Sequence, residues 1–214
     1  MKKRDSHIND LHEKEIAIFF DHCFDRGLFR EFDPEEYKRA QFLLEKFQIR
    51  NNWRIIEPGS GCGRFTKLLA KKVGANGCID ACEISPKMVE YCRKSDFPAW
   101  VRFSNVSVLD LELPERSIDS VICFNVWPHF TRPELHLSFF QRILKSKGIL
   151  YISHSCGRDM VNSIHQDNPE EIIYTHFLPN AEEMERFLFE QGWEVLEKIE
   201  TGEVYFLKGV KRNP

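Results

Sequence analysis

Near the start of the chain, Ile8, Leu11, Ile16, Phe19, Phe20 and Cys23 recur at steps of three and four, with Glu15 as a polar member of the same set. That spacing lines one side of a helix, and Gly27 ends it. Asp33 followed by Pro34 has the form of an N-cap and a first helical residue. A second helix is therefore expected, with Tyr37, Ala40, Leu44 and Phe47 on one face.

From Trp53 the rhythm changes. Short apolar runs at 53–57, 78–83, 99–104, 118–125 and 148–154 alternate with segments of helical spacing at 64–73, 86–94 and 133–144. Strand and helix in alternation predict an α/β protein, a parallel sheet covered on both faces. Ser85-Pro86 and Thr131-Arg132-Pro133 start two of the helices, and residues 145–148 stop the third. The last stretch reads as a helix over 180–191 ended by Gly192, then strands at 193–200 and 203–208 around Thr201-Gly202, a hairpin. No repeat, low-complexity tract or Pro/Gly/Ser-rich linker divides the chain, so one domain is expected over 1–214. Its parts would be helices in 1–50, a ligand-binding core in 51–155, and a substrate-side helix with the hairpin in 156–214.

Composition narrows the partners. The 214 residues include 30 Lys+Arg against 33 Asp+Glu, a net charge of -3 that gives no basic footprint for nucleic acid or an anionic membrane surface. The longest apolar stretches, 120–126 and 148–153, fall far short of the roughly 20 residues of a bilayer span. The basic start, Met1-Lys2-Lys3-Arg4, lacks the apolar core of a secretory signal. Seven cysteines, an odd number without a CxxC pair, read as reduced thiols packed as small apolar residues. Together these predict a cytoplasmic protein, monomeric or homodimeric, with no membrane partner.

The chemistry starts after the first strand, where Glu57-Pro58-Gly59-Ser60-Gly61-Cys62-Gly63 leads into a helix. Glycines there let backbone approach a ligand closely. Glu83 ends the next strand 24 residues after Gly59, close to the offset of roughly 20 at which an acid accepts from ribose hydroxyls. A nucleoside ligand is expected. A dinucleotide fold wants G-x-G-x-x-G, whereas here the third glycine comes one residue early and an acid precedes the loop. Glu57 would repel a pyrophosphate and attract an ammonium or sulfonium group.

Glu57-Pro-Gly-Ser-Gly-Cys-Gly followed by Glu83 resembles the S-adenosylmethionine-binding motif of class I methyltransferases, and the resemblance extends over 53–153. It implies a Rossmann-like, doubly wound, mostly parallel sheet of seven strands whose C-terminal hairpin returns antiparallel. It also implies S-adenosylmethionine as cofactor, with Glu57, Gly59, Ser60 and Gly61 around its methionine and ribose portions, Glu83 on the ribose hydroxyls, and Ile84 and Met88 flanking adenine. The segment 106–119 is similar to the family's stretch after the third strand, but Ser107 stands where an adenine-reading aspartate is frequent. Adenine contacts then fall to the backbone at Val108 and Leu109. Asn125, after the fourth strand, would lie beside the cofactor.

For the transfer, His129 and His154 follow the fourth and fifth strands, at the carboxyl edge where open α/β sheets bind ligands. They are the candidates for catalysis as proton acceptors; the alternatives for His129 are a substrate contact or a structural role, packed under the first helix. If the segment after His154 is helical, Arg158, Asn162 and His165 share a face and become substrate-binding candidates; the alternative is that they decorate an exposed helix. Phe20, in the first helix, is a further substrate contact if that helix is a lid over the cofactor, the alternative being a permanently packed helix. His154, Cys156, His165 and His176 are donors a soft metal accepts, but their spacing fits no compact zinc pattern, so no metal site is expected. The sequence thus predicts methyl transfer from S-adenosylmethionine to a small molecule. Its rivals are a catalytically silent S-adenosylmethionine-binding protein and an NAD-dependent oxidoreductase on the same sheet.

Overall fold

Asp33 caps the second helix as its sequence requires: one carboxylate oxygen accepts from the N–H groups of Glu35 and Glu36, each at 2.9 Å. In the computed structural model, which describes residues 2–167 and 171–212, the helices are α1 (Lys2–Asp25), α2 (Pro34–Lys46), α3 (Arg64–Val73), α4 (Pro86–Lys94), α5 (Pro133–Ile143), α6 (Arg158–Gln166) and α7 (Ala181–Glu190). The strands are β1 (Arg54–Pro58), β2 (Cys78–Cys82), β3 (Val101–Ser104), β4 (Ile118–Phe124), β5 (Leu144–His154), β6 (Trp193–Glu200) and β7 (Tyr205–Lys211). Short 3-10 turns occupy Val108–Asp110, Trp127–His129 and Ile172–Thr175.

The strands form one sheet in the order β3-β2-β1-β4-β5-β7-β6. Strands β1 to β5 pair in parallel, while β7 runs antiparallel to both β5 and β6. Alternate residues serve opposite faces. Ile56, Val121, Leu150 and Leu207 pack toward α5 and α7. Ile55, Ile122, Tyr151 and Phe206 pack toward α2 and α3. The Tyr151 hydroxyl donates to the Phe47 carbonyl, tying the end of α2 to the sheet centre.

The chain reverses direction across the sheet between β1 and β4, so the loops after these strands splay apart at their carboxyl ends. Such a switch point is where open sheets bind ligands.

Several expected boundaries shift. The stretch 145–148 is not a turn: β5 begins at Leu144, directly after α5, and pairs with Ile118 across a bulge that lies between Ile118 and Ser120. The second hairpin strand starts at Tyr205 and runs to Lys211, because it must pair with β5 on one side and with Trp193 at the start of β6 on the other. In α1, Ile16 and Cys23 are buried as the apolar stripe requires, but Leu11 is 61% exposed. The Ile8 side chain lies outside the described residues.

Candidate active site

Above the switch point lies a cavity of about 560 Å³. Its floor is the loop after β1, one wall is the end of β2 and the start of α4, the opposite wall is a group of histidines, and α1 covers it through Ile16, Phe19, Phe20 and Cys23.

The loop owes its shape to two glycines. Gly59 has φ of +65° and a Cβ there would sit 2.3 Å from Val126 Cγ2, so the β4 loop presses directly on this backbone. Gly61 has φ of +55°, and a Cβ there meets only Met88 Sδ at 3.9 Å, leaving it to fill cavity space that a ligand needs. The close approach at Gly59 therefore serves packing, and the one at Gly61 serves the cavity.

Glu83 holds this loop. Gly61 N–H donates to Glu83 Oε2 at 3.0 Å, and Ser85 N–H donates to Oε1 at 2.9 Å. Burial raises the Glu83 carboxyl above the usual carboxylate range, opposed by the N–H donors of Ser85, Gly61 and Ile84. Each oxygen of a carboxylate takes more than one donor, so both keep capacity for a diol.

Glu57 is 2% exposed, and its Oε2 has no hydrogen-bond partner. Burial pushes its carboxyl up to about 8, countered in part by the neighbouring Thr66 hydroxyl. A buried carboxyl with a bare oxygen at a cavity wall is a fitting partner for an ammonium group. Ser60, whose hydroxyl is also buried and unpartnered, adjoins it.

Ile84, Met88 and Val108 line the cavity beside Glu83. Leu109 does not: it packs against the core beneath the 3-10 turn, which removes it from the cavity wall. Ser107 does line the cavity, and its hydroxyl donates to Glu13 of α1 at 3.1 Å. Asn125 has φ of +54° and its amide bridges the strand ends, donating from Nδ2 to Ser155 Oγ at 2.9 Å and accepting the Ser155 N–H at 2.8 Å.

Sequence reasoning missed the network that continues from there. Ser155 Oγ donates to Glu36 Oε1 at 2.8 Å, Arg64 donates to Glu36 Oε2 at 2.6 Å, and Arg39 donates to the Ser155 carbonyl at 2.6 Å. All four side chains line the cavity. Their positions in α2, at the start of α3 and after β5 are far apart in sequence, and no local spacing connects them.

At the opposite wall, His129, His154 and His165 come together, joined by His176. His129 Nδ1 lies 3.0 Å from His176 Nδ1, and His165 Nδ1 donates to the His176 carbonyl. His154 Nε2 and His176 Nε2 are buried without partners. Burial holds all four rings below their usual range, helped by neighbouring imidazoles for His129, His154 and His176 and opposed at His165 by its bond to the His176 carbonyl; His154 is brought down to about 3 and His176 to about 4. All four are neutral at physiological pH. Among the described residues, no group of three or more His, Cys, Asp or Glu is arranged to hold a metal.

Two of the expected contacts do not join this group among the described residues. Arg158 pairs with Asp159 at 2.6 Å and Glu200 at 2.8 Å, which fastens α6 to the hairpin and takes it out of the cavity. Asn162 donates to the Leu178 carbonyl and accepts its N–H, at 3.0 and 2.8 Å, so its amide serves a loop backbone. Phe20 does reach the cavity, its ring 5.1 Å edge-on from that of His129.

A model of the family described as a methyltransferase domain matches residues 49–200. The chain belongs to this family. The cofactor that goes with membership is S-adenosylmethionine, which the bare Glu57 oxygen, the Glu83 carboxylate and the open side of Gly61 suit. The chain is 35% identical to aklanonic acid methyltransferase DauC of Streptomyces sp. (strain C5) over 117 residues, 52% of this chain and 51% of that one. It is 27% identical to tRNA (adenine(58)-N(1))-methyltransferase TrmI of Thermus thermophilus over 96 residues, 43% of this chain and 38% of that one. The matched stretches thus span about half of the first of these curated relatives and less of the second. Its fold is similar to that of a SAM-dependent methyltransferase from Aquifex aeolicus, with a TM-score of 0.66 at 19% identity over 84% of this chain and 94% of that one. Among the described residues of this methyltransferase-domain protein, no helix is long and apolar enough to cross a membrane.

Proposed function

We propose that the protein transfers a methyl group from S-adenosylmethionine to a small-molecule acceptor. The observation that carries this reading is the continuity of one cavity, roofed by α1, from the glycine loop to the histidine wall. A covered cavity of about 560 Å³ suits a nucleoside cofactor with a modest acceptor beside it. The likeness to an enzyme named for a small acid, aklanonic acid, supports the same class. The likeness to a tRNA methyltransferase makes tRNA the competing acceptor, and the net charge of -3 speaks against it.

The cofactor supplies a methyl group activated on a sulfonium. The chain's own residues do the rest. Glu57 receives the ammonium on its bare oxygen, Glu83 accepts from the ribose hydroxyls while keeping the loop in place, and Ile84 and Met88 flank the base. Helix α1 excludes water from the transfer. His129 and His154 stand on the acceptor side as proton acceptors, and Phe20 closes the cavity over them.

Calorimetric titration with S-adenosylmethionine and its demethylated product tests the reading. Both should bind, and Glu83→Ala should weaken both by about 100-fold, since a buried carboxylate's charge-assisted bonds are worth about 1.5–3 kcal/mol. Binding of NADH in their place, or no binding, would overturn it. Product formation with tRNA but with no small acceptor would overturn the acceptor class alone.

A further inference from the structure

The histidine wall contains one contact that the reading above does not use. His129 and His176 meet through their Nδ1 atoms at 3.0 Å. Two neutral imidazoles in such contact share one hydrogen, so the state of one ring fixes that of the other. His165 donates from Nδ1 to the backbone carbonyl of His176, which holds the residue in place from its other side. His176 is 5% exposed and does not line the cavity, whereas His129 does.

Resting on the methyltransferase reading, we propose that His176 is a positioning residue: its Nδ1 accepts the Nδ1–H of His129, so that His129 turns a free Nε2 lone pair to the cavity and takes the proton of an acidic acceptor hydroxyl, of a phenol or enol. In the step, the O–H of the phenol or enol breaks and its proton goes to His129 Nε2, whereas a carboxylic acid arrives already ionised and needs no base. The oxygen forms a bond to the methyl carbon, and the carbon–sulfur bond breaks with its electron pair left on sulfur as a neutral thioether. His129 then carries hydrogen on both nitrogens, and only a His176 that accepts satisfies the one pointing away from the cavity.

The acceptor class follows from what surrounds His129. Its neighbours are the Phe20 ring, the imidazoles of His165 and His176, and the nearby His154, and among the described residues no carboxylate hydrogen-bonds to it. A cation formed there gains little, so the base is weak and suits a hydroxyl that gives up its proton readily. The low position of the ring's titration, caused by burial and the other imidazoles, agrees.

The test has two readings on the same protein. In long-range proton–nitrogen spectra of protein with labelled histidines, His129 should carry hydrogen on Nδ1 and none on Nε2, and His176→Phe should abolish that preference. A His129 with hydrogen on Nε2 in the wild type overturns the proposal. A panel of phenols and enols is then compared with matched aliphatic alcohols and amines, following release of the demethylated cofactor. Turnover confined to the acidic members is expected. His176→Phe should lower kcat about tenfold or more without raising KM, and His176→Gln, whose amide oxygen accepts, should restore most of it. Turnover of an alcohol or amine, a rise in KM alone, or no turnover of any acidic member while S-adenosylmethionine still binds would overturn it. Failure of the cofactor to bind would instead remove the methyltransferase reading beneath it.

Discussion

Glu57 is a buried carboxyl held at about 8 by the loss of water around it. A cation placed against its bare oxygen draws it back to the ionised state. At pH 7, binding of S-adenosylmethionine should therefore release close to one proton, and affinity should rise with pH until about 8, where Glu57 is already ionised. Titrations in buffers of different ionisation enthalpy measure the released proton directly, and Glu57→Gln should abolish both the release and this pH dependence. An unchanged proton count in the variant would mean that Glu57 does not meet the cation. Asn162 gives a contrasting case. Its amide serves only the Leu178 backbone, so Asn162→Ala should cost stability of about 1–3 kcal/mol, read by denaturant unfolding, with cofactor affinity unchanged.

At the scale of elements, the glycine loop and α1 decide the site. Gly59→Ala places a methyl group 2.3 Å from Val126 at a positive φ, combining overpacking at about 1–3 kcal/mol with a left-handed penalty of roughly 1–2 kcal/mol. The variant should unfold at clearly lower denaturant concentration. Gly61→Ala carries the same left-handed penalty, its φ being +55°, but no comparable clash, so it should destabilise less than Gly59→Ala and lose cofactor affinity besides; unchanged affinity in a folded Gly61→Ala would mean that the cavity does not need Gly61 open. Helix α1 is fastened by Asp21, whose Oδ1 accepts from the Ser85 hydroxyl at 2.5 Å and the Lys87 N–H at 3.2 Å, and by Lys87 with Asp25 at 2.5 Å. Asp21→Ala should speed hydrogen exchange across α1 while the sheet keeps its protection. Protection of α1 unchanged from wild type would show that apolar contacts alone hold it. Helix α2 was legible from its cap and its stripe, whereas α1 was only half legible: the stripe named Ile16 and Cys23, but Leu11 faces outward, because a cover over a cavity buries less of its length than a helix on a core.

For the molecule as a whole, the buried imidazoles and Glu57 pull the pH dependence of stability in opposite directions. His154, His136 and His176 titrate at about 3, 4 and 4 when folded, against about 6.5 unfolded. Between those values the unfolded chain binds more protons, so stability rises with pH up to about 6.5. Glu57 titrates at about 8 folded, against about 4.3 unfolded, so in its own window the folded chain holds the extra proton and stability falls as pH rises. The imidazoles, His129 and His165 included, outweigh the raised carboxyls Glu57 and Glu83 below pH 6.5, and Glu57 goes on titrating between there and 8. Ligand-free melting temperature should therefore peak near pH 6.5 and decline toward 8, and Glu57→Gln should flatten the decline. A variant that declines as the wild type does would place the cause elsewhere.

By itself the sequence determined the alternation of strands and helices, the glycine loop, the acid at the end of the second strand and the residues that cap α2 and α4, because each rests on neighbours within a few positions of one another. The family's cofactor pocket was legible for the same reason. Only the tertiary structure decided which polar side chains face the cavity. Arg158 and Asn162 share a helical face with His165 yet turn to the hairpin and a loop, while Glu36, Arg39, Arg64, Ser155 and His176 come to the site from elements that no local spacing joins. Periodicity fixes the face of a helix; what that face meets depends on strand order and on where the chain crosses the sheet.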